Sequence, residues 1–297
     1  MLFAGIDIGS NAVRLLFANV YENKGGPIAE KATLIRIPVR LGMDVFTLGR
    51  ITDERIELLA KTMKAFKLLI DVYQPISYLA AATSAMREAS NSTEVLEHIM
   101  MESGLKIDLI NGIEEANIIS SFSNLMVNKN YSKTLYVDVG GGSTELSLLE
   151  GHTFITSNSF RIGTIRLLAD AVEDDEWDAM HKWLNQFKAD FGRMNIIGSG
   201  GNINKITKLY GHAYNNVVNA DQLNFAYKQL KSIPLEERID KMGLRPDRAD
   251  VIVPAAKIFL KILKWTDLNV ISAPKIGLAD GLVLLQYNRL KVAKASG

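Results

Sequence analysis

Leu135–Leu149 reads L-Y-V-D-V-G-G-G-S-T-E-L-S-L-L. The apolar run Leu135–Val139 predicts a strand. The glycines Gly140, Gly141 and Gly142, with Ser143 and Thr144, predict a turn, and the alternation from Glu145 predicts a second strand. Three residues without Cβ leave their backbone N–H groups open to close approach by a phosphate. Asp138, the only charge in the apolar run, is placed at its carboxyl end, beside that cradle. A plain β-hairpin needs only a two-residue Asn-Gly turn and gains nothing from the aspartate, so the stretch reads as a phosphate loop.

Working outward, the same pattern opens the chain. Phe3–Ile8 is an apolar strand ending in D-I-G-S-N (Asp7–Asn11), followed by strands predicted at Ala12–Val20 and Ile28–Val39 across the turn signal Asn23–Pro27. The second half repeats this with Leu135–Val139, Thr144–Leu149 and Thr153–Phe160. Superposing Asp7 on Asp138 also puts Gly9 on Gly140, an offset of 131 residues. Thr52 or Asp53 is predicted to cap a helix running to Tyr73, stopped by Pro75. A strand at Ile76–Ala82, a helix from Thr93, a strand at Ile107–Ile110 and a helix opening at Glu114 complete the first half. In the second half, helices at 175–191 and 203–210 flank a third strand-to-glycine turn, Asn195–Gly201, which contains Gly200 and Gly201. Helices at 221–231 and 247–264, a strand at Leu268–Ser272 and a terminal helix from Asp280 follow.

Two such halves predict two similar α/β domains, 1–127 and 128–297, divided in the polar stretch Leu125–Ser132. The terminal helix has the option of packing back on the first domain. Ligands of α/β sheets bind off the carboxyl ends of strands, where all three glycine turns fall, which predicts an active-site cleft between the domains.

The rest of the composition narrows the function by exclusion. A chain of 297 residues, 47% hydrophobic and 23% charged, is that of a globular protein with ample core. No apolar run reaches the roughly 18 residues of a membrane span, and the N-terminus reads as a strand, not a signal peptide. With no cysteine there is no disulfide frame, thiolate metal site or cysteine nucleophile, and a cytoplasmic protein is expected. The four histidines (His98, His152, His181, His212) have no metal-ligand spacing. A net charge of +1 argues against a nucleic-acid binder, so a polyanionic substrate would need local cations. Arg36 and Arg40, Arg161 and Arg166, and Lys205 and Lys208 are the candidate stretches. The amphipathic terminal helix (Leu282, Leu285, Leu290) would also serve a homodimer.

Seven blocks, in order, resemble the exopolyphosphatase / guanosine pentaphosphate phosphatase family of the actin–sugar kinase–Hsp70 superfamily. They are Ala4–Leu15 (A-G-I-D-I-G-S-N-A-V-R-L), Val39–Met43 (V-R-L-G-M), Ala82–Asn91 (A-T-S-A-M-R-E-A-S-N), Asn111–Ala116 (N-G-I-E-E-A), Val137–Leu146, Ile162–Leu167 (I-G-T-I-R-L) and Gly198–Gly201. The resemblance implies two ribonuclease H-like domains, and it covers the two-domain catalytic core; longer members carry an additional C-terminal helical domain. It also implies that Gly9, Ser10, Asn11, Gly140, Gly141, Gly142, Ser143, Gly200 and Gly201 bind phosphate, with Arg87 reaching along the phosphate chain. Glu115 aligns with the catalytic base and Asp138 with its acidic partner, while Asp7, Asp138 and Glu145 align with positions around a divalent metal. Two departures stand out: Ala12 replaces a usual serine, and L-A-D-G (Leu278–Gly281) lacks an arginine that often precedes the acid-glycine pair.

Hydrolysis of a phosphoanhydride needs charge neutralised on the transferred phosphoryl and an activated water. The glycine turns, Arg87 and Mg²⁺ or Mn²⁺ on Asp7, Asp138 and Glu145 would meet the first need. Glu115, in the first turn of a helix, would meet the second. Glu114 and Glu115 also read as ordinary first-turn helix acids, and Ser143 and Thr144 as turn residues. The expected substrates are inorganic polyphosphate or guanosine pentaphosphate (pppGpp). A kinase of the same superfamily lacks support from any clear acceptor-binding acid, and a nucleotide-gated scaffold lacks its substrate-binding domain.

Overall fold

A computed structural model of the chain describes residues 1–23, 26–120, 131–151, 153–212 and 214–295. Part of the expected turn at Asn23–Pro27, most of the expected boundary at 125–132, and His152 lie outside the described residues. The chain divides into two compact units, Met1–Asn124 with Gly277–Gly297, and Leu125–Ile276.

The first unit is built on a sheet of β1 (Leu2–Ile8), β2 (Val13–Asn23), β3 (Gly26–Ile37), β4 (Tyr78–Ala82) and β5 (Asp108–Leu109), ordered β3-β2-β1-β4-β5. β1, β2 and β3 form an antiparallel meander, and β4 and β5 run parallel to β1. Central β1 is buried on both faces from Phe3 to Ile8, which is why it reads as a continuous apolar run. Among the described residues five helices are interleaved: α1 (Leu41–Leu48), α2 (Asp53–Tyr73), α3 (Ser84–Glu88), α4 (Ser92–Ser103) and α5 (Gly112–Ser120). α2 buries Leu59, Met63, Phe66 and Ile70, one face of a 3.6-residue repeat, in a core with Phe17, Ile6 and Val95. It ends at Gln74 in the left-handed conformation, ahead of Pro75. Thr52 occupies its N-cap position but does not cap it: the Thr52 hydroxyl donates to Asp44 Oδ2 at 2.5 Å instead. α1 and α3 are short helices that the sequence pattern does not announce, since each spans barely one or two turns.

The second unit repeats the plan. β6 (Lys133–Val139), β7 (Thr144–Glu150) and β8 (Thr153–Phe160) form the antiparallel meander, and β9 (Met194–Ser199) runs parallel to β6. β11 (Val270–Ser272) runs parallel to β9, and β10 (Val217–Asn219) closes the edge, giving the order β10-β11-β9-β6-β7-β8. The offset of 131 holds in the ladder: Asp7 faces Arg14 across the first meander, and Asp138 faces Glu145 across the second. The helices are α6 (Thr164–Leu168), α7 (Asp174–Asn185), α8 (Gly201–Tyr210), α9 (Ala220–Ser232), α10 (Leu235–Asp240), α11 (Pro246–Ala249) and α12 (Ile252–Thr266). The expected helix 175–191 is divided into α7 and a 3₁₀ turn at Lys188–Arg193, and the one at 247–264 into α11 and α12. α9 carries a complete capping box, Asn219 and Gln222. Its apolar face joins α12 in a core that includes Phe259, Ile262, Leu223 and Trp183.

The last helix, α13 (Leu278–Ala295), belongs to the first unit although it follows the second in the chain. β1 and α13 approach so closely that a Cβ on Gly5 would lie 2.4 Å from the Ala279 carbonyl oxygen. Gln286 Nε2 donates to the Ala4 carbonyl at 2.8 Å, and Tyr287 donates to Glu22. At the start of α13, Asp280 is 6% exposed; it meets Lys31 Nζ at 2.8 Å and accepts from the Gly277 amide at 3.1 Å. The aspartate of the L-A-D-G stretch is thus a fastening of this helix to β3.

Burial raises the Asp280 carboxyl above its ordinary value, against the opposing pull of Lys31. The folded state therefore binds a proton at Asp280 where the unfolded state has lost it, and this contribution to stability disappears as pH rises through the raised value. Asp280→Asn is expected to gain thermal stability relative to the parent as pH is raised from below the ordinary carboxylate range to neutrality. Melting temperatures of the two proteins across that range check it; a difference independent of pH would contradict it.

Candidate functional site

In the first unit the D-I-G-S-N turn closes with the Gly9 amide donating to the Ala12 carbonyl at 3.1 Å. Asp7, 4% exposed at the end of β1, is ion-paired with Arg14, its cross-strand neighbour. The turn is held from the α1 side: Arg40 N donates to the Asn11 carbonyl at 3.1 Å and Gly42 N to the Ser10 carbonyl at 2.8 Å. Arg40 takes a left-handed backbone (φ 59°) to turn the chain into α1, and Gly42 leaves room for the Ser10 side chain.

Also in this unit, the Thr83 amide donates to the Ile8 carbonyl at 3.2 Å, which starts α3 against the end of β1. Arg87 on α3 reaches the Ile110 carbonyl with Nη1 at 2.8 Å, so its guanidinium is fixed over the entry to α5. There the two neighbouring glutamates part company. Glu114 is exposed and forms a reciprocal cap with Asn111: Asn111 N donates to Glu114 Oε2 at 2.8 Å, and Glu114 N to Asn111 Oδ1 at 2.9 Å. Glu115, 9% exposed, turns inward on the other side of that cap. The ordinary helix-end reading fits Glu114, and Glu115 takes no part in that cap.

In the second unit the glycine loop is held even more completely. Gly140 N donates to Ser143 O at 2.9 Å, closing the turn. The three glycine carbonyls then accept from the start of α6: Thr164 N to Gly140 O at 3.0 Å, Ile165 N to Gly141 O at 2.8 Å, and Arg166 Nε to Gly142 O at 2.8 Å. In a trans peptide the N–H points opposite to its carbonyl. The amides of Gly141, Gly142 and Ser143 therefore face away from α6. Gly163 makes the close approach possible, because a Cβ there would come within 2.3 Å of Gly141 O. Thr144 is a tether rather than a ligand group: its buried hydroxyl donates to the Ile162 carbonyl at 2.6 Å.

Asp138 stands in the same corner, half-buried at the end of β6, opposite Glu145 on β7 and beside Ser199 on β9. Glu145, 2% exposed, accepts from Ser159 Oγ at 2.8 Å. Gly200 adopts φ 105°; a Cβ there would lie 3.0 Å from Val139 O and 3.7 Å from Asp138 Oδ1. Gly201 opens α8, and a Cβ on it would lie 2.7 Å from Arg248 Nη2. The second unit thus gathers Asp138, Gly140–Ser143, Glu145 and Gly200 around one turn. The first gathers Asp7, Gly9, Ser10 and Asn11, with Arg87 and Glu115 linked through Ile110 and α5.

Of the cationic stretches, Arg166 is buried and structural, and Arg36 lies on β3 opposite Arg14. Gly163 carries no role in the residue pattern beyond the I-G-T-I-R-L block that contains it, and Arg166, expected as a cation for substrate, donates instead to the Gly142 carbonyl. Arg248 has no signal in spacing at all. Among the described residues no three His, Asp or Glu side chains form a ready metal cluster. Asp138 and Glu145 are a cross-strand carboxylate pair, and two carboxylates suit Mg²⁺, which retains several waters. Asp7, committed to Arg14, fits a metal less well.

Each unit has the ribonuclease H-like strand order, with a glycine turn after its first strand, which places the chain among the two-domain actin-like proteins. The Ppx/GppA phosphatase family model matches residues 33–289, and the chain belongs to that family. It is 28% identical over 294 residues to the bifunctional 3-dehydroquinate synthase/phosphatase of Fusobacterium nucleatum, spanning 89% of this chain and 43% of that relative. It is 22% identical over 299 residues to exopolyphosphatase 1 of Mycobacterium leprae, spanning 94% of this chain and 87% of that one. The crystal structure of the Aquifex aeolicus Ppx/GppA family member superposes with a TM-score of 0.75 at 27% identity, covering 97% of this chain and 98% of that chain.

Gly163→Ala forces α6 off the glycine carbonyls and is expected to weaken binding of tripolyphosphate by at least about tenfold, by analogy with a misplacement of about 1 Å. Gly192→Ala, which meets no atom within 4 Å, is the control. Calorimetric titration of both variants checks this; equal affinities would mean that the grip on the loop does not set anion binding.

Proposed function

We propose that the chain hydrolyses the terminal phosphoanhydride bond of inorganic polyphosphate, or the 5′ γ-phosphate bond of pppGpp, by direct attack of water with the help of Mg²⁺ or Mn²⁺. The observation that carries this reading is the orientation of the Gly140–Ser143 loop. Its carbonyls are engaged by α6, so its amides are directed to an anion beside Asp138. Membership of the Ppx/GppA phosphatase family and the similarity to the mycobacterial exopolyphosphatase support the choice of bond.

In this reading the amides of Gly141, Gly142 and Ser143, and the turn Gly9–Asn11, bind phosphoryl oxygens and orient them. Gly200 and Gly201 extend the second cradle. Asp138 and Glu145 would hold the divalent cation, with Asp7 near the first turn in a supporting role through Arg14. When bound, the cation offsets negative charge on the phosphoryl oxygens. Glu115 takes the proton of the attacking water, and the inward placement of its carboxylate, apart from the Glu114 cap, supports that assignment. Arg87 neutralises phosphate charge and at the same time braces the entry of α5. With no Ser-His-Asp or Cys-His arrangement in the sequence, attack by water needs no covalent intermediate.

The test is phosphate release from long-chain polyphosphate, pppGpp and ATP in the presence of Mg²⁺. ADP formed from ATP only with an acceptor sugar, the γ-phosphoryl being found on the sugar and not as free phosphate, would favour a kinase. Glu115→Gln is expected to lower kcat by about 10²–10⁴-fold with KM within a few-fold, as for a lost general base. Glu114→Gln keeps the acceptor of the cap, as Gln222 does in α9, so it should leave kcat near the parent value and cost at most about 0.3–1 kcal/mol through the lost first-turn charge. Turnover abolished by Glu114→Gln and preserved in Glu115→Gln would reverse the assignment. Asp138→Asn should lose most turnover and bind Mg²⁺ more weakly, as measured by titration calorimetry; unchanged Mg²⁺ affinity would remove Asp138 from the metal site.

A further inference from the structure

We infer that Gly281, in the first turn of the terminal helix, is a positioning residue for Glu115, acting by direct contact on the helix that carries it. The inference rests on the reading of Glu115 as the base. The contact is between α13 and α5, both in the first unit. A Cβ added to Gly281 would lie 2.6 Å from Ile118 Cγ2, 2.8 Å from the Ile118 carbonyl oxygen and 3.1 Å from its carbonyl carbon. Ordinary van der Waals contact begins near 3.4 Å, so only a residue without Cβ admits this approach. Ile118 is three residues after Glu115, on the same side of α5 and about 4.5 Å along its axis. Displacing Ile118 displaces Glu115.

α5 has little of its own to fix its position. It has nine residues, too few to be stable in isolation, so packing decides where it lies. Three restraints act on it. The strand-side entry is pinned by Ile110 N donating to Ala82 O at 3.1 Å and by Arg87 donating to Ile110 O at 2.8 Å. Asn111 and Glu114 cap the first turn. The third restraint is α13: Leu278 and Leu282 pack with Ile110 and Ala81, with Ile118 against them, and Gly281 sits between those two leucines in sequence. α13 is itself anchored just before this point by Asp280 to Lys31 and Gly277 N. The aspartate fixes the helix, and the glycine lets it touch α5. This assigns both halves of the acid-glycine pair a task far in sequence from the glutamate they serve.

The experiment is a double-mutant cycle on phosphate release from long-chain polyphosphate with Mg²⁺, with activity expressed per folded molecule. Gly281→Ala must push α5 by several tenths of an ångström, and a misplacement of about 1 Å costs on the order of 10²-fold. The expected result is a fall in kcat of about 10–10²-fold with KM within threefold. Gly281→Ala/Ile118→Ala removes the Cγ2 at 2.6 Å but not the Ile118 carbonyl oxygen at 2.8 Å, so it should recover only part of the loss. In the Glu115→Gln background, Gly281→Ala should cost less than threefold more, because the group it positions has already lost its function. Tyr287→Phe, which loosens the far end of α13, should leave kcat of the folded protein unchanged.

If Gly281→Ala does not fold, Ile118→Ala alone carries the same cycle from the other side of the contact. Full additivity of Gly281→Ala and Glu115→Gln, or a change confined to KM, would overturn the inference. So would a kcat for folded Gly281→Ala equal to that of the parent while Glu115→Gln is inactive. If Glu115→Gln itself retains full turnover, the base has been misassigned, and that failure is seen in a separate arm from any failure of the contact.

Discussion

Everything that the glycine turns can do depends on where their carbonyls go. A run of glycines is the costliest stretch of backbone to order, because it surrenders the most conformational freedom. A helix start, for its part, has amides with no partner inside the helix. In both units these two deficits cancel. The entry to α1 donates to the carbonyls of Ser10 and Asn11, and the start of α6 donates to those of Gly140 and Gly141. Arg166 adds a side-chain bond to Gly142. A loop fastened by its carbonyls presents its amides in one direction before any ligand arrives, which is the preorganisation that charge stabilisation needs.

The repeated scaffold carries unlike charges. Position for position, Arg14 in the first meander corresponds to Glu145 in the second. Asp7 is consequently matched by a cation, whereas Asp138 has a second carboxylate across the ladder. The first turn places an ion pair across the ladder, and the second places two carboxylates there. Two copies of one backbone plan thus present different charges at this ladder position. Arg87 joins the two kinds of residue in the first unit, since the same guanidinium that could meet a phosphate also fixes Ile110 at the head of α5.

The terminal helix completes the first unit from the far end of the chain. Its attachment relies on absence of side-chain bulk at Gly5 and Gly281 as much as on bonds. Gln286 spans from Ser77 on the approach to β4 to the Ala4 carbonyl on β1, so the helix is stitched to the two central strands that precede the turn and α3. A helix held this way restrains both the sheet that bears Asp7 and the helix that bears Glu115.

The sequence by itself determined the three strand-to-glycine turns, the two meanders and their offset, the long helix ended by Pro75, and the shortlist of acids. These are encoded within a few neighbouring residues, by the period of the apolar side chains and by where backbone without Cβ is required. The short helices α1 and α3 were illegible because one or two turns give periodicity too little length to register. Periodicity did not separate Glu114 from Glu115, and the family resemblance singled out Glu115; the cap formed with Asn111 and the burial of Glu115 are what give the two different surroundings. The pairing of Asp7 with Arg14 required the strand register, and the role of Gly163 required knowledge of what lies against it. The partner of α13 was decided by the tertiary structure, because Gln286 and Ala4 are 282 positions apart. At such distances no local pattern speaks, and burial of complementary surfaces decides.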